Sequence, residues 1–91
     1  MNIETLFDII QSRRQNMPAG SYTTSLFTAG LPRIAQKVGE EATEVVVAAL
    51  AQDDQRLVEE IADLTYHTLV LLAARGLTPG QVAQELERRH K

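Results

Sequence analysis

Apolar residues recur every three or four positions along most of this 91-residue chain, which is the spacing of amphipathic α-helices. The pattern predicts helices over residues 3–14, 25–29, about 32–51 and about 54–74, with a last helix from Thr78-Pro79 to about Arg88. The expected core positions are Ile3, Leu6, Phe7, Ile9 and Ile10, then Ile34, Val38, Ala42, Val45, Val46 and Ala49, and finally Val82 and Leu86. No strand pattern of note is present, so the sequence predicts an all-α fold.

Helix-ending and helix-capping residues separate these segments. Asn2 is a candidate N-cap, and residues 15–24 combine a proline, a glycine and several hydroxyls, which indicates a loop. Asp53-Asp54 marks a turn between the two long helices. Because that connection is short, the two helices should pack antiparallel in a small helical bundle.

Two acidic motifs, Glu40-Glu41-x-x-Glu44 and Glu60-x-x-Asp63, lie within the two long helices. Carboxylates three residues apart project from nearly the same side of a helix. Glu44 lies eight residues before Gln52 and Glu60 eight residues after it, so antiparallel packing would bring the motifs level. Four carboxylates on neighbouring helices are hard oxygen ligands suited to Mg²⁺ or Mn²⁺. The pattern therefore predicts metal-assisted chemistry on a phosphorylated substrate.

The acidic motifs also have a simpler interpretation, because acidic pairs on helices are commonly a solvated face. Asp63 faces away from the apolar arc that includes Leu57 and Ile61, which favours that interpretation unless a metal or another chain covers the face. Residues Leu69 to Ala74 are apolar on all sides of their helix. We interpret this stretch as a subunit interface, and a chain this small is expected to form a homodimer.

Charge and composition narrow the possible functions. The net charge is −3, and residues 40–63 hold eight of the twelve acids but only one of the nine bases. An acidic centre disfavours nucleic acid and suits a divalent cation. There is no cysteine, and no apolar stretch is long enough to span a bilayer. The length supports a single domain over residues 1–91, and the N-terminus lacks a signal-peptide pattern, so we expect a cytoplasmic protein.

Several polar residues outside the acidic motifs have alternative roles. Arg13, Arg14, Arg33 and Lys37 are available for phosphates. The hydroxyls of residues 21–24 either donate to a phosphate or cap the next helix. His67 is either a metal ligand or substrate contact, or a hydrogen-bonded structural residue, and the same choice applies to Tyr66.

The run from Lys37 to Ala49, followed by residues 60–67, resembles the phosphoribosyl-ATP pyrophosphatase family within the all-α NTP pyrophosphatase (MazG-like) superfamily. Ser12-Arg13, Ser21-Tyr22-Thr23 and the segment Leu86–His90 extend the resemblance over essentially the whole chain. It implies a homodimeric helical bundle and a Mg²⁺-dependent step of histidine biosynthesis. In that step phosphoribosyl-ATP and water give phosphoribosyl-AMP and pyrophosphate. A separate cyclohydrolase would act next in the pathway.

The resemblance also implies residue roles. The metal ligands would be Glu41, Glu44, Glu60 and Asp63. The catalytic residues would be Glu40, Glu41 and Lys37, with Glu40 as a base or a support for the ligands. The substrate would be bound by Arg13, Ser21, Tyr22, Thr23, Lys37 and His67.

Two other functions fit the same residues. One is a pyrophosphatase of the same superfamily that removes modified or non-standard nucleoside triphosphates. The other is a non-catalytic helical dimerisation module whose acids are a solvated face. Comparing the turnover of phosphoribosyl-ATP with that of ordinary and modified triphosphates tests the first alternative. For the second, Mg²⁺ should cause no shift in the melting temperature and no hydrolysis should occur.

Overall fold

The computed structural model describes residues 1–90, which form five helices and no strand. The helices are α1 (Ile3–Asn16), α2 (Tyr22–Ala29), α3 (Leu31–Ala51), α4 (Asp54–Ala74) and α5 (Pro79–Arg89). The predicted all-α fold is confirmed. Among residues 1–90, no helix has the length and apolar character needed to cross a bilayer.

The loop between α1 and α2 is shorter than the sequence predicted. The left-handed Met17, with φ of 46°, ends α1 two residues later than expected. The side chain of Ser21 then accepts a hydrogen bond from the backbone N–H of Thr24. This cap starts α2 at Tyr22 rather than at Ser25, because a hydroxyl at the N-cap satisfies a backbone donor that the helix leaves free. Tyr22 and Thr23 therefore project from a helix rather than from a loop.

Helices α3 and α4 form the predicted hairpin. Gln52 and Asp53 connect them, and the Asp53 carboxylate caps α4 by accepting from the backbone N–H of Arg56 at 2.9 Å. Both helices are 21 residues long. The hairpin therefore has two distinct halves, one near its turn and one at its open end, where α1 and α2 also pack.

The apolar core lies at the open end of the hairpin. Its buried members come from four helices: Phe7, Ile10, Leu26, Ile34, Leu69, Val70 and Ala73. Leu71, Leu72 and Ala74 pack against this cluster. The stretch Leu69–Ala74 thus packs largely against its own chain, with Leu71, Leu72 and Ala74 only partly buried, and its role as a subunit interface stays a prediction.

The turn half of the hairpin is poorly covered. Between residues 42 and 61, only Ala48 and Glu60 are buried. The expected core positions Val46 and Ala49 are exposed, because α3 meets α4 through the stripe that carries Lys37, Glu41 and Ala48. The exposed large apolar side chains of this half are Val46, Val47, Leu50, Val58 and Ile61.

Other expected core positions also differ from the structure. Ile3 and Ile9 on α1 are exposed, whereas Phe7 and Ile10 are buried as predicted. On α5, Val82 and Leu86 were expected to face inward, but both are about half exposed and no residue of this helix is buried. They line an open apolar groove together with Leu64, Leu69 and Leu72 of α4.

Candidate active site

Three of the predicted carboxylates lie together between α3 and α4. One carboxylate oxygen from each of Glu41, Glu60 and Asp63 lies within 4.8 Å of the others. Glu41 is half-buried, Asp63 is exposed, and Glu60 is only 6% exposed. A carboxylate as buried as Glu60 requires a charged or hydrogen-bonding partner. The equal distances of the two motifs from the turn thus produce a compact acidic group with an open side at Asp63.

Each of the two less exposed carboxylates has a basic partner on its own helix. Lys37 Nζ lies 3.2 Å from Glu41 Oε1, and the Arg56 guanidinium donates to Glu60. The hydrogen bond to Glu41 raises the pKa of Lys37, so the ammonium is charged at neutral pH. Within residues 1–90, no basic side chain lies within 4.0 Å of Asp63. The group therefore retains uncompensated negative charge at its exposed corner.

Glu44 and Glu40 lie outside this group of three. Glu44 is exposed on α3, and its role as a fourth metal ligand stays a prediction. Glu40 is also exposed, accepts a hydrogen bond from Gln36 at 3.0 Å, and lies 3.5 Å from Arg33 and 3.4 Å from Lys37. Lys37 thus contacts both Glu40 and Glu41, and the catalytic role of these three residues stays a prediction.

His67 connects the acidic group to α2. Its Nδ1 lies 2.7 Å from the backbone carbonyl oxygen of Asp63, and its Nε2 lies 3.0 Å from the hydroxyl of Tyr22. A carbonyl oxygen only accepts, so Nδ1 carries a hydrogen and donates to it, and in that tautomer of the neutral ring Nε2 accepts from the tyrosine hydroxyl. The histidine is 6% exposed and both ring nitrogens are occupied. It therefore reaches a bound molecule through Tyr22 rather than directly.

A second pair of hydroxyls lies beside this contact. Thr23 and Tyr66 hydrogen-bond through their side-chain oxygens. The ring of Tyr66 stacks on that of Tyr22, with centroids 6.2 Å apart. Burial raises the pKa of Tyr66, which keeps its phenol neutral.

Arg13 differs from most bases of the chain in lacking an acidic partner. It is half-buried at the end of α1. In the described part of the chain, the carboxylate ion pairs involve Arg33, Lys37, Arg56, Arg88 and Arg89. Arg13 is thus available to an anion. Ser21, the remaining predicted substrate contact, uses its oxygen to cap α2, and its hydroxyl hydrogen can still donate.

The structure adds a partner for Glu60 and a partner for Thr23 that the sequence did not assign. Arg56 supports Glu60, and the i,i+4 spacing of the two residues was a signal that could have revealed the pair. Tyr66 supports Thr23 across 43 positions of sequence. No local pattern reports a contact at that separation.

The chain is similar to a family of known proteins over nearly its whole length. Residues 3–90 match the model of the family described as phosphoribosyl-ATP pyrophosphohydrolase. The chain is 54% identical to the phosphoribosyl-ATP pyrophosphatase of Lacticaseibacillus casei over 97% of this chain and 80% of that protein. It is 53% identical to the enzyme of the same name from Pyrobaculum calidifontis, over 98% of this chain and 95% of that protein.

A longer relative is also similar. The histidine biosynthesis bifunctional protein HisIE of Bacteroides thetaiotaomicron is 50% identical over 99% of this chain, which covers 44% of that protein. The family match and the identities extend over nearly all of the present sequence. The chain therefore belongs to the phosphoribosyl-ATP pyrophosphohydrolase family.

Proposed function

We propose that this protein hydrolyses phosphoribosyl-ATP to phosphoribosyl-AMP and pyrophosphate, the second step of histidine biosynthesis. The observation that carries the proposal is the family match over residues 3–90, which includes the three clustered carboxylates. The names of the relatives support the substrate, and that of the bifunctional relative supports the pathway. Family membership argues against the non-catalytic dimerisation module.

The acidic group fits a divalent cation. Its donors are carboxylate oxygens, which Mg²⁺ prefers, and it contains no nitrogen or sulfur ligand. Glu41, Glu60 and Asp63 would hold the ion, and Glu44 is the further ligand that the sequence predicts. A bound Mg²⁺ would polarise the phosphate oxygens and neutralise charge that develops on the pyrophosphate leaving group. Mn²⁺ prefers the same oxygen ligands and is the expected substitute.

The chain's own residues supply binding and proton transfer. The charged Lys37, next to Glu41, is placed to contact a phosphate oxygen. The exposed Glu40 is our candidate for the base that accepts a proton from the attacking water, since it lies beside the acidic group without being part of it. Ser21 offers a hydroxyl at the start of α2, whereas the hydroxyl of the predicted contact Thr23 is buried and hydrogen-bonded to Tyr66. Arg13, half-buried in the last turn of α1, offers a guanidinium.

We propose that Arg13 binds a phosphate of the substrate. Arg13→Ala should raise KM for phosphoribosyl-ATP about tenfold or more, since a hydrogen bond to a charged group contributes roughly 1.5–3 kcal/mol. The matched control is Arg14→Ala, which removes the neighbouring exposed arginine. Steady-state kinetics of both variants measures the difference. Equal values of KM for the two variants would contradict this role.

The position of the attacking water determines which phosphoanhydride bond breaks. The sequence contains no glycine-rich loop with a Walker-type lysine, the usual device for holding a γ-phosphate, so we expect water to attack the α-phosphorus. In ¹⁸O-labelled water with Mg²⁺, the label should enter phosphoribosyl-AMP, with pyrophosphate as the only released phosphate. A chelator should stop the reaction. Mass spectrometry of both products decides the point.

Three outcomes would contradict the proposal. Label in pyrophosphate, or orthophosphate as the primary product, would show that a different bond breaks. Faster turnover of modified nucleoside triphosphates than of phosphoribosyl-ATP would favour the alternative pyrophosphatase that removes such triphosphates. Absence of turnover with every substrate would favour the non-catalytic module.

A further inference from the structure

Tyr22 combines a held position with an open ring face. Its hydroxyl lies 3.0 Å from His67 Nε2, its ring stacks on Tyr66, and the edge of the His67 ring meets it at a centroid distance of 5.9 Å. Despite these contacts Tyr22 is 52% exposed. An exposed aromatic side chain normally moves freely. In this protein the buried His67 and the ring of Tyr66 fix the position of the exposed Tyr22.

The held ring lies beside the acidic group. His67, which holds the hydroxyl, is itself bonded to the backbone oxygen of Asp63 at 2.7 Å. Asp63, whose carboxylate belongs to the acidic group, lies one helical turn before His67 on α4. Tyr22 therefore borders the place where the triphosphate would sit.

The chemistry that Tyr22 still offers is that of its ring face. Phosphates are bound by donors, but the hydroxyl hydrogen of Tyr22 is already directed at His67. Nucleobases, in contrast, stack on aromatic faces irrespective of their hydrogen-bonding edges. A nucleotide whose phosphates lie at the acidic group would bring a base within reach of this rim.

We infer that the exposed face of Tyr22 is the stacking surface for the purine base of the nucleotide substrate. His67 is the positioning residue that fixes this ring, with its Nδ1–H anchored on Asp63. The inference rests on the proposed function for the identity of the nucleotide. In this arrangement Tyr22 contacts the base, and His67 acts only through the position of the Tyr22 ring.

Kinetics of ring variants test the inference. Tyr22→Leu removes the stacking face and should raise KM for phosphoribosyl-ATP by about ten- to a hundredfold, the range expected for loss of one base–aromatic stack. Tyr22→Phe keeps the ring and should raise KM much less. His67→Phe should raise KM in the wild-type background but cause no further rise when combined with Tyr22→Leu. Inhibition by Mg²⁺-tripolyphosphate, which has no base, should be the same for wild type and Tyr22→Leu.

A binding measurement that does not depend on turnover accompanies the kinetics. The chain has two tyrosines and no tryptophan, so in a Tyr66→Phe variant the tyrosine fluorescence reports on Tyr22 alone. With Mg²⁺ present, AMP should quench this fluorescence and ribose 5-phosphate should not. Quenching by AMP would support the stacking surface even if phosphoribosyl-ATP proved not to be the substrate.

Several results would overturn the inference. The first is a KM of Tyr22→Leu that equals that of wild type. The second is inhibition by Mg²⁺-tripolyphosphate that weakens in Tyr22→Leu as much as binding of phosphoribosyl-ATP does. The third is equal quenching of the Tyr22 fluorescence by AMP and by ribose 5-phosphate. A single-chain mass for Tyr22→Leu in solution, with wild type a dimer, would show instead that a second copy covers the ring.

Discussion

Asp63→Asn is expected to lower turnover of phosphoribosyl-ATP about a hundredfold or more while leaving the helices intact. Asp63 is the exposed member of the three-carboxylate group and has no basic partner among residues 1–90. Its negative charge is therefore available to a cation that binds at the open side of the group. Metal-based stabilisation of developing charge contributes several kcal/mol, and each 1.36 kcal/mol is tenfold in rate. Steady-state assays at saturating Mg²⁺ measure the loss, with circular dichroism as the check on folding.

The same substitution should not lower the melting temperature of the metal-free protein, and we expect a small rise. Removing one of three clustered negative charges relieves the repulsion among them. Active sites often sacrifice stability for function in this way. Glu60→Gln should behave differently. Glu60 is buried and paired with Arg56, so losing its charge removes one of the two carboxylates that pair with that arginine and should lower the melting temperature.

Matched variants make this prediction specific. Glu59→Gln removes an exposed carboxylate that also pairs with Arg56 but lies outside the group, so it should retain most activity. Glu44→Gln tests the fourth predicted ligand, and we expect a smaller loss than for Asp63→Asn. An Asp63→Asn enzyme that kept more than about a tenth of wild-type activity would rule out the carboxylate group as the metal site.

The sequence predicted the helices and the acidic group because both follow from local rules. Helical periodicity and the Asp53 cap located the ends of α4, and the equal spacing of Glu44 and Glu60 from Gln52 predicted that the two motifs would meet. That argument correctly brought Glu41, Glu60 and Asp63 together. It did not predict that Glu44 would lie outside, because height along a helix leaves the direction of each side chain undetermined.

The parts that the sequence did not predict depend on contacts between distant segments. The hydrogen bond from Tyr22 to His67 joins positions 45 residues apart, and no periodicity reports it. The α2 boundary was misplaced because a single cap at Ser21 extended the helix. Val46 and Ala49 carried a core pattern, yet they lie in the half of the hairpin that α1 and α2 leave uncovered. An apolar pattern shows that a residue is to be buried, but it does not show which chain covers it.

That uncovered half is where we propose that the homodimer forms. Two helices alone cannot bury both their apolar faces, and the exposed apolar residues occur on both helices of the turn half: Val46, Val47, Leu50, Val58 and Ile61. Leu50 is 83% exposed, so its side chain contributes little to the folded monomer. Pairing of two hairpins would cover these residues and brace the helices that carry Glu41, Glu60 and Asp63.

Leu50→Glu is therefore expected to dissociate the dimer without unfolding the chain. A charge placed in an apolar interface costs several kcal/mol, which weakens association by about a thousandfold or more. Light scattering at micromolar concentration should give twice the 10.1 kDa chain mass for wild type and the single-chain mass for the variant, with turnover lost in parallel. Leu86→Glu, at an exposed apolar position on α5, is the control and should remain dimeric. A wild-type monomer with full activity, or a Leu50→Glu dimer, would show that the turn half of the hairpin is not the subunit interface.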